Sequence, residues 1–186
     1  MTWLLLGLLL WIAAHMFRRV APAARARLDD RMGKGAKGVI AVLLVLAVVL
    51  MVIGYKQAAF VPLWQPPSFM VHINNLLMIF AVGLYGVGHS KSRLRRMMRH
   101  PMLWGTAIWA AAHLLVNGDL ASVVLFGTLL IWALAEMSLI NRQAHDYVPF
   151  SGGSLAGDIR LAVITLVVFV VIVLIHGWIG PSPLPG

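Results

Sequence analysis

The chain has 186 residues, of which 61% are hydrophobic and only 11% are charged, whereas a soluble domain carries about 25% charged residues. This composition excludes a soluble globular domain and predicts an integral membrane protein. The formal charge is +9, but the basic residues are confined to loops, which indicates contact with anionic lipid headgroups and not with nucleic acid. The absence of cysteine excludes disulfides, thiolate catalysis, iron–sulfur clusters and covalently attached haem. Seven histidines remain as the main candidate metal ligands.

The first predicted span, residues 3–17, is followed at once by Arg18 and Arg19. A cleaved signal peptide carries its positive charge before the apolar run, so we predict a retained helix with its N-terminus outside. The next segment, residues 18–37, contains seven basic residues against two aspartates. We predict that it is a cytoplasmic loop.

The second predicted span, residues 39–54, is almost purely aliphatic, and its predicted role is packing. Residues 55–67 contain three prolines and Trp64, which favours an outer loop with an aromatic anchor at the membrane interface. The third span, residues 68–88, is followed by residues 89–100, which carry five basic residues and no acid. This second basic segment is also predicted to be cytoplasmic.

The fourth and fifth spans, residues 101–116 and 120–140, are predicted to form a helical hairpin. Pro101 suits the first position of a helix, because its missing N–H is one that the first turn leaves unbonded anyway. Gly118 is predicted to be the left-handed residue just past the end of the fourth span, and Asp119 to cap the fifth. The pattern therefore indicates a helix, a tight turn and a second helix.

The sixth span, residues 160–179, completes the series, since a bilayer core of ~30 Å requires about 20 apolar residues per helix. Basic and poorly charged loops alternate along the chain, so each kind falls on one side. The sequence therefore predicts an all-α polytopic membrane protein, a six-transmembrane-helix bundle forming one integral membrane domain over residues 1–186. Both termini are predicted to lie on the periplasmic side of the bacterial inner membrane.

Polar side chains recur inside the predicted spans, where an ionisable group costs on the order of 2–3 kcal/mol even on a lenient insertion scale. Such groups usually face the bundle interior and mark function. Residues three, four or seven apart share one face of a helix. The resulting stripes are, in chain order, Trp11 and His15; His72 and Asn75; Thr106, Trp109, His113 and Asn117; and Thr128, Trp132 and Glu136.

His113 has two interpretations at this stage. One is an interhelical hydrogen bond to a carbonyl or to Asn117. The other is an axial ligand of b-type haem, because a neutral imidazole binds iron well and an apolar slot between helices suits a porphyrin. The identity of the second iron ligand stays open. His15 lies near the cytoplasmic end of its span and is closer in height to His100. His72 is closer in height to His113. His72 is therefore kept as an alternative metal ligand.

Five blocks of residues carry a family resemblance: His15 with Arg18-Arg19, Arg99-His100-Pro101-Met102, Trp109-x-x-x-His113-Leu114, Asn117-Gly118-Asp119 and Leu125-Phe126-Gly127. In these blocks the chain resembles the NnrU family of bacterial membrane proteins over nearly its whole length. NnrU-like proteins are associated with nitrite and nitric oxide metabolism in denitrifying bacteria. The zeta-carotene isomerases of plants and cyanobacteria are similar in the same blocks, and in them histidine-bound haem b carries a redox-gated cis–trans isomerisation.

The resemblance implies that His15 and His113 ligate haem b and that His100 is a nearby supporting residue. Trp109 and Asn117, on the same stripe as His113, are assigned to the same cofactor site. With two histidine ligands the iron is six-coordinate and suited to electron transfer. Release of one ligand would open a position for nitric oxide or for a substrate double bond.

Four functions remain open from the sequence. The first is a haem protein linked to redox chemistry or nitric oxide in denitrification, and the second is a haem-dependent isomerase of a polyene or other isoprenoid lipid. The third is a membrane methyltransferase of the isoprenylcysteine type, which shares an Arg-His-Pro opening and a later glutamate, here Glu136. The fourth is a haem-free scaffold. The expected partners are the bilayer and a lipid or nitric oxide ligand, and a homo-oligomer is one option.

Overall fold

The computed structural model describes residues 1–184, and these residues form helices and connecting loops, with no named strand among them. Six helices are long and one is short and polar. In chain order they are α1 (Thr2–Val20), α2 (Pro22–Met32), α3 (Gly35–Lys56), α4 (Met70–Val87), α5 (Pro101–Val116), α6 (Leu120–Gln143) and α7 (Leu155–Ile179). A short 3₁₀ helix, Arg93–Met97, lies in the segment before α5.

Five of these helices, α1, α3, α4, α6 and α7, are long and apolar enough to cross a membrane. The fold is therefore that of an all-helical, multi-pass membrane protein, as the composition predicted. The remaining apolar helix, α5, has 16 residues. The sixteen-residue length matches the predicted fourth span.

The segment 18–37 differs from the predicted loop. Helix α1 continues to Val20, α3 begins at Gly35, and the 11-residue helix α2 lies between them. Hydropathy cannot reveal α2, because its polar sequence has no apolar stripe. Its helix is set instead by Pro22 at the first position and by several good helix formers.

The long helices form an open arc. Each packs on its neighbours in the order α3, α1, α6, α5, α4 and α7. Within residues 1–184, the two ends of the arc, α3 and α7, do not pack along each other. The bundle therefore has a side that faces the surrounding lipid without a helix to close it.

Helices α1 and α3 approach each other closely, and small residues permit the approach. A Cβ atom built on Gly54 would lie 2.1 Å from the backbone N of Leu4, and one built on Gly7 would lie 2.7 Å from the backbone N of Met51. Small residues of this kind drive helix association in membranes, where apolar burial gives no advantage over lipid. Leu4 and Met51 belong to the buried core.

The turn between α5 and α6 confirms one capping prediction and overturns another. Asp119 caps α6, since its Oδ1 accepts a hydrogen bond from Ser122 N at 3.0 Å. The left-handed conformation expected at Gly118 was wrong, because only Gly33 and Gly153 have positive φ among the described residues. Glycine is required there for another reason: a Cβ atom would lie 2.0 Å from the carbonyl oxygen of Trp64.

The loop between α3 and α4 covers this turn. Leu63 N and Trp64 N donate to the carbonyl of Gly118 at 2.7 and 3.1 Å, and Leu120 N donates to the carbonyl of Val61 at 2.9 Å. At the other end of the bundle, Asp158 at the start of α7 accepts hydrogen bonds from Ser92 and Arg93. Loop contacts therefore hold the helices together at both ends of the bundle.

Candidate functional site

The arc encloses an apolar cavity of about 1020 Å³, and all six long helices contribute to its wall. The size matches the upper range of ligand pockets in proteins. Because α3 and α7 both line the cavity without packing along each other, its side entrance lies between them. A ligand dissolved in the hydrocarbon layer could therefore reach the cavity directly.

Four side chains of α1 and α6 form a cluster on one wall of the cavity: Trp11, His15, Trp132 and Glu136. The His15 ring lies 4.2 Å from the Trp11 ring and 4.7 Å from the Trp132 ring, between centroids. The two indoles meet edge to face at 5.5 Å. Each helix supplies its pair at a spacing of four residues, which places the two side chains one turn apart on the same face.

Three buried polar atoms in this cluster have no hydrogen-bond partner within residues 1–184: Trp11 Nε1, Trp132 Nε1 and Glu136 Oε2. Buried polar groups in native proteins are nearly always satisfied, so an unsatisfied group calls for a water or a ligand. Glu136 is 7% exposed, and its other carboxylate oxygen lies 4.0 Å from Arg19 Nε. The α1–α6 wall is therefore the part of the cavity best suited to the polar part of a ligand.

His113 lies in a second aromatic cluster, formed with Trp109 and Phe126. The His113 ring stacks on Phe126 at 4.6 Å and 28°, and it lies 5.1 Å from Trp109. Phe126 lies in a five-residue π-helical turn, Val123–Gly127, inside α6. Such turns occur frequently at functional sites, and this one contains the Leu125-Phe126-Gly127 block.

Both histidines are oriented by the same local hydrogen bond. His15 Nδ1 donates to the carbonyl of Trp11 at 3.0 Å, and His113 Nδ1 donates to the carbonyl of Trp109 at 2.9 Å. In the neutral imidazole this leaves the lone pair on Nε2, which is the usual arrangement of a metal-ligating histidine. Each imidazole therefore presents a lone pair that could ligate an iron, and the two orphaned indole N–H groups fit a ligand carboxylate or carbonyl.

The two imidazoles contact α6 at different heights. His15 contacts Trp132 and His113 contacts Phe126, and these α6 residues are separated by ~9 Å at about 1.5 Å per residue. His15 lines the cavity directly, whereas His113 lies behind Trp109, which lines it. The two histidines therefore contact the same helix, α6, at positions six residues apart.

The other candidate residues lie outside this arrangement. His72 is exposed on α4 and does not line the cavity. His100 precedes α5, and its Nε2 donates to Asn141 Oδ1 at 2.8 Å. Asn117 donates from Nδ2 to the carbonyl of His113 at 2.8 Å, and the same carbonyl accepts the backbone N–H of Asn117 at 3.0 Å at the end of α5.

No group of three or more His, Cys, Asp or Glu side chains in the described part of the chain could hold a metal ion. A ligand set made only of protein side chains is therefore not present there. Haem differs in this respect, because its macrocycle supplies four of the iron ligands and leaves only the axial positions to the protein. One or two histidines then suffice.

Sequence reasoning missed two polar pairs near the site. Tyr85 OH donates to Thr106 Oγ1 at 2.8 Å on the cavity wall, and Tyr55 OH is 2.8 Å from Ser122 Oγ, which itself bonds to Asp119. The second pair connects α3 to the start of α6. Each tyrosine follows a long apolar run, which is the sequence signal that could have indicated these contacts.

Phe126→Ala tests the second aromatic cluster. Phe126 is 6% exposed and contacts the rings of Tyr55, Trp109 and His113. We expect a loss of about 3 kcal/mol in unfolding free energy, because a large buried ring leaves a cavity that its neighbours fill only in part. The measurement is the thermal unfolding of the purified protein in mild detergent.

Phe80→Ala is the matched control, since Phe80 is 57% exposed on α4 and faces lipid or detergent that can refill the space. It should change the unfolding temperature little. Equal shifts for the two variants would contradict the placement of Phe126 at the centre of this cluster.

Comparison with known proteins identifies the family of this chain. No curated protein and no solved structure matches the chain significantly. The family model described as NnrU protein matches residues 3–183, nearly the whole chain. On that match, the chain belongs to the NnrU family.

Proposed function

We propose that this protein is a haem b-binding membrane protein of the NnrU type, with His15 and His113 as the axial ligands. The observation that carries the proposal is the shared geometry of the two histidines. In each, Nδ1 donates to the carbonyl four residues earlier, which presents the Nε2 lone pair. Both lie in aromatic clusters joined by α6.

The surrounding residues have separate roles in this proposal. Trp11 and Trp132 fix the His15 ring at the cavity, and Phe126 packs against the His113 ring. Because Trp109 lies between His113 and the cavity, its indole would have to turn aside for His113 to reach an iron bound there. The apolar wall of the cavity excludes water from the site. Bound there, haem b would supply a redox-active iron, and we assign the protein to the nitrite and nitric oxide chemistry with which NnrU-like proteins are associated.

The test is the absorption spectrum of the protein purified in mild detergent. We expect a Soret band in the oxidised protein and split α and β bands after reduction with dithionite. Protein isolated without cofactor should gain both features when haemin is added, at one haem per chain. A colourless preparation that does not respond to haemin would refute the proposal.

The side entrance between α3 and α7 favours a second candidate, a haem-dependent cis–trans isomerase of a polyene or isoprenoid lipid. Such a substrate resides in the hydrocarbon layer, and the cavity wall is predominantly apolar along its length. The test is the isomer ratio of polyenes in lipid extracts from cells with and without the protein. A change in that ratio supports the isomerase, and an unchanged ratio with intact haem bands supports the redox function.

We further propose six membrane crossings within one integral domain, with both termini outside the bacterial inner membrane. Helix α5 would be the sixth crossing: its 16 residues span ~24 Å, and local thinning or flanking residues can offset the shortfall against a core of ~30 Å. The basic segments at 18–37 and 89–100 would then both face the cytoplasm.

Because the chain has no cysteine, single introduced cysteines can test this topology. Gln65 and Ser151 are both exposed and lie in opposite loops of the proposed arrangement. In spheroplasts, Gln65→Cys should react with a membrane-impermeant maleimide, whereas Ser151→Cys should react only after lysis. The reverse pattern, or equal labelling of the two variants, would exclude the proposed orientation.

A further inference from the structure

A second pocket, of about 260 Å³, lies where α1 ends, α3 begins and α2 packs against both. Three basic side chains line it: Arg18, Arg25 and Lys37. They come from three different helices. The short helix α2 therefore completes a basic pocket at one membrane surface.

The burial of Arg25 distinguishes this pocket from an ordinary solvated patch of basic residues. Its side chain is only 14% exposed, and its Nη2 pairs with Asp29 at 2.9 Å. Its Nη1 is buried without a hydrogen-bond partner within residues 1–184. A buried guanidinium donor without a partner calls for an acceptor that the protein does not supply.

Apart from His15, which also lines the large cavity, the rest of the wall is apolar. Phe17, Ile40 and Leu44 line the same pocket, and α3 continues from it with lipid-facing side chains such as Val42 and Val45. A ligand there would meet cations at one end and a hydrocarbon surface at the other. This combination matches the basic pockets between transmembrane helices that bind anionic lipid headgroups.

We propose that this pocket binds the phosphate of an anionic glycerophospholipid, with an acyl chain lying along Ile40 and Leu44 of α3. The guanidinium of Arg25 donates to the phosphate, and Arg18 and Lys37 add charge. The carboxylate of Asp29 pairs with Arg25, and no carboxylate lines the pocket beside its three cations. The pocket therefore keeps a net positive charge that suits a single phosphodiester. His15 lines both this pocket and the large cavity, but the proposed phosphate contacts come from the three basic side chains and do not require haem.

The experiment is native mass spectrometry of the detergent-solubilised protein, prepared without added haemin and titrated with phosphatidylglycerol or phosphatidylcholine. We expect one phosphatidylglycerol to bind with higher affinity than phosphatidylcholine. Arg25→Ala should weaken phosphatidylglycerol binding about fivefold, from the contribution of one cation near a headgroup. Lys37→Ala, at the exposed start of α3, should weaken it similarly and provides a second variant if Arg25→Ala does not fold.

Arg27→Ala is the matched control. Arg27 is exposed on the same short helix and does not line the pocket, so binding should not change. Equal losses for Arg25→Ala and Arg27→Ala, or no loss in either, would overturn the proposal in favour of a diffuse basic surface. Complete displacement of the lipid by equimolar inorganic phosphate or haemin would also overturn it, because the pocket would then recognise a free anion or a haem carboxylate.

Discussion

His113→Ala is expected to abolish the split α and β bands of the reduced protein. On the proposed assignment, removal of one imidazole would leave the iron with one protein ligand fewer or would release the haem altogether. His15→Ala should have an equally large effect, because each histidine would supply one of two axial ligands. The measurement is the reduced-minus-oxidised spectrum with the haem content per chain.

Added imidazole distinguishes ligation from a structural role. If the truncated side chain leaves room beside the iron, free imidazole should restore the six-coordinate spectrum in each alanine variant. His72→Ala and His145→Ala are controls, since both histidines are exposed and neither lines the cavity. Loss of the bands in His72→Ala, with His15→Ala unchanged, would instead assign the second ligand to His72.

Gly54→Ala is expected to separate α1 from α3 and to destabilise the protein by about 3 kcal/mol, the upper part of the usual range for overpacking. An added Cβ atom would lie 2.1 Å from the backbone N of Leu4 and 2.6 Å from its Cα. Neither atom can move aside without shifting the helix. The unfolding temperature should fall by about 10 °C for a chain of this size.

Gly38→Ala is the control on the same helix. No atom lies within 4 Å of a Cβ atom built on Gly38, and alanine has a higher helix propensity than glycine. Its unfolding temperature should stay constant or rise slightly. A fall as large as that of Gly54→Ala would show that the loss does not arise from the α1–α3 contact.

Most of the fold could be predicted from hydropathy, because long apolar runs in a membrane protein leave few alternatives to helices. The start of α5 at Pro101 and the cap of α6 at Asp119 were also predicted, since both effects are local. Gly118 was correctly identified as a necessary glycine, but for the wrong reason. The neighbour that requires it, Trp64, lies far away in the chain, and no local pattern indicates their contact.

The candidate site was predictable only in part. Helical spacing placed Trp109 with His113 and Trp132 with Glu136. In the structure the first pair is in ring contact, and the second pair lines the cavity together. The association of His15 with Trp132 depends on how α1 packs against α6, which periodicity within one helix does not specify. The stacking of Phe126 on His113 also depends on a π-helical turn, whose position follows from tertiary packing.

The unclosed side of the helical arc determines how the occupancy of the cavity would depend on the amount of ligand added. A molecule that enters between α3 and α7 first equilibrates with the membrane, so binding depends on its mole fraction among the lipids and not on its aqueous concentration. Two compounds with the same intrinsic affinity would then differ in apparent potency by the ratio of their partition coefficients. Diluting the proteoliposomes in buffer should leave binding of a strongly partitioned compound unchanged, whereas diluting the membranes with extra lipid should reduce it.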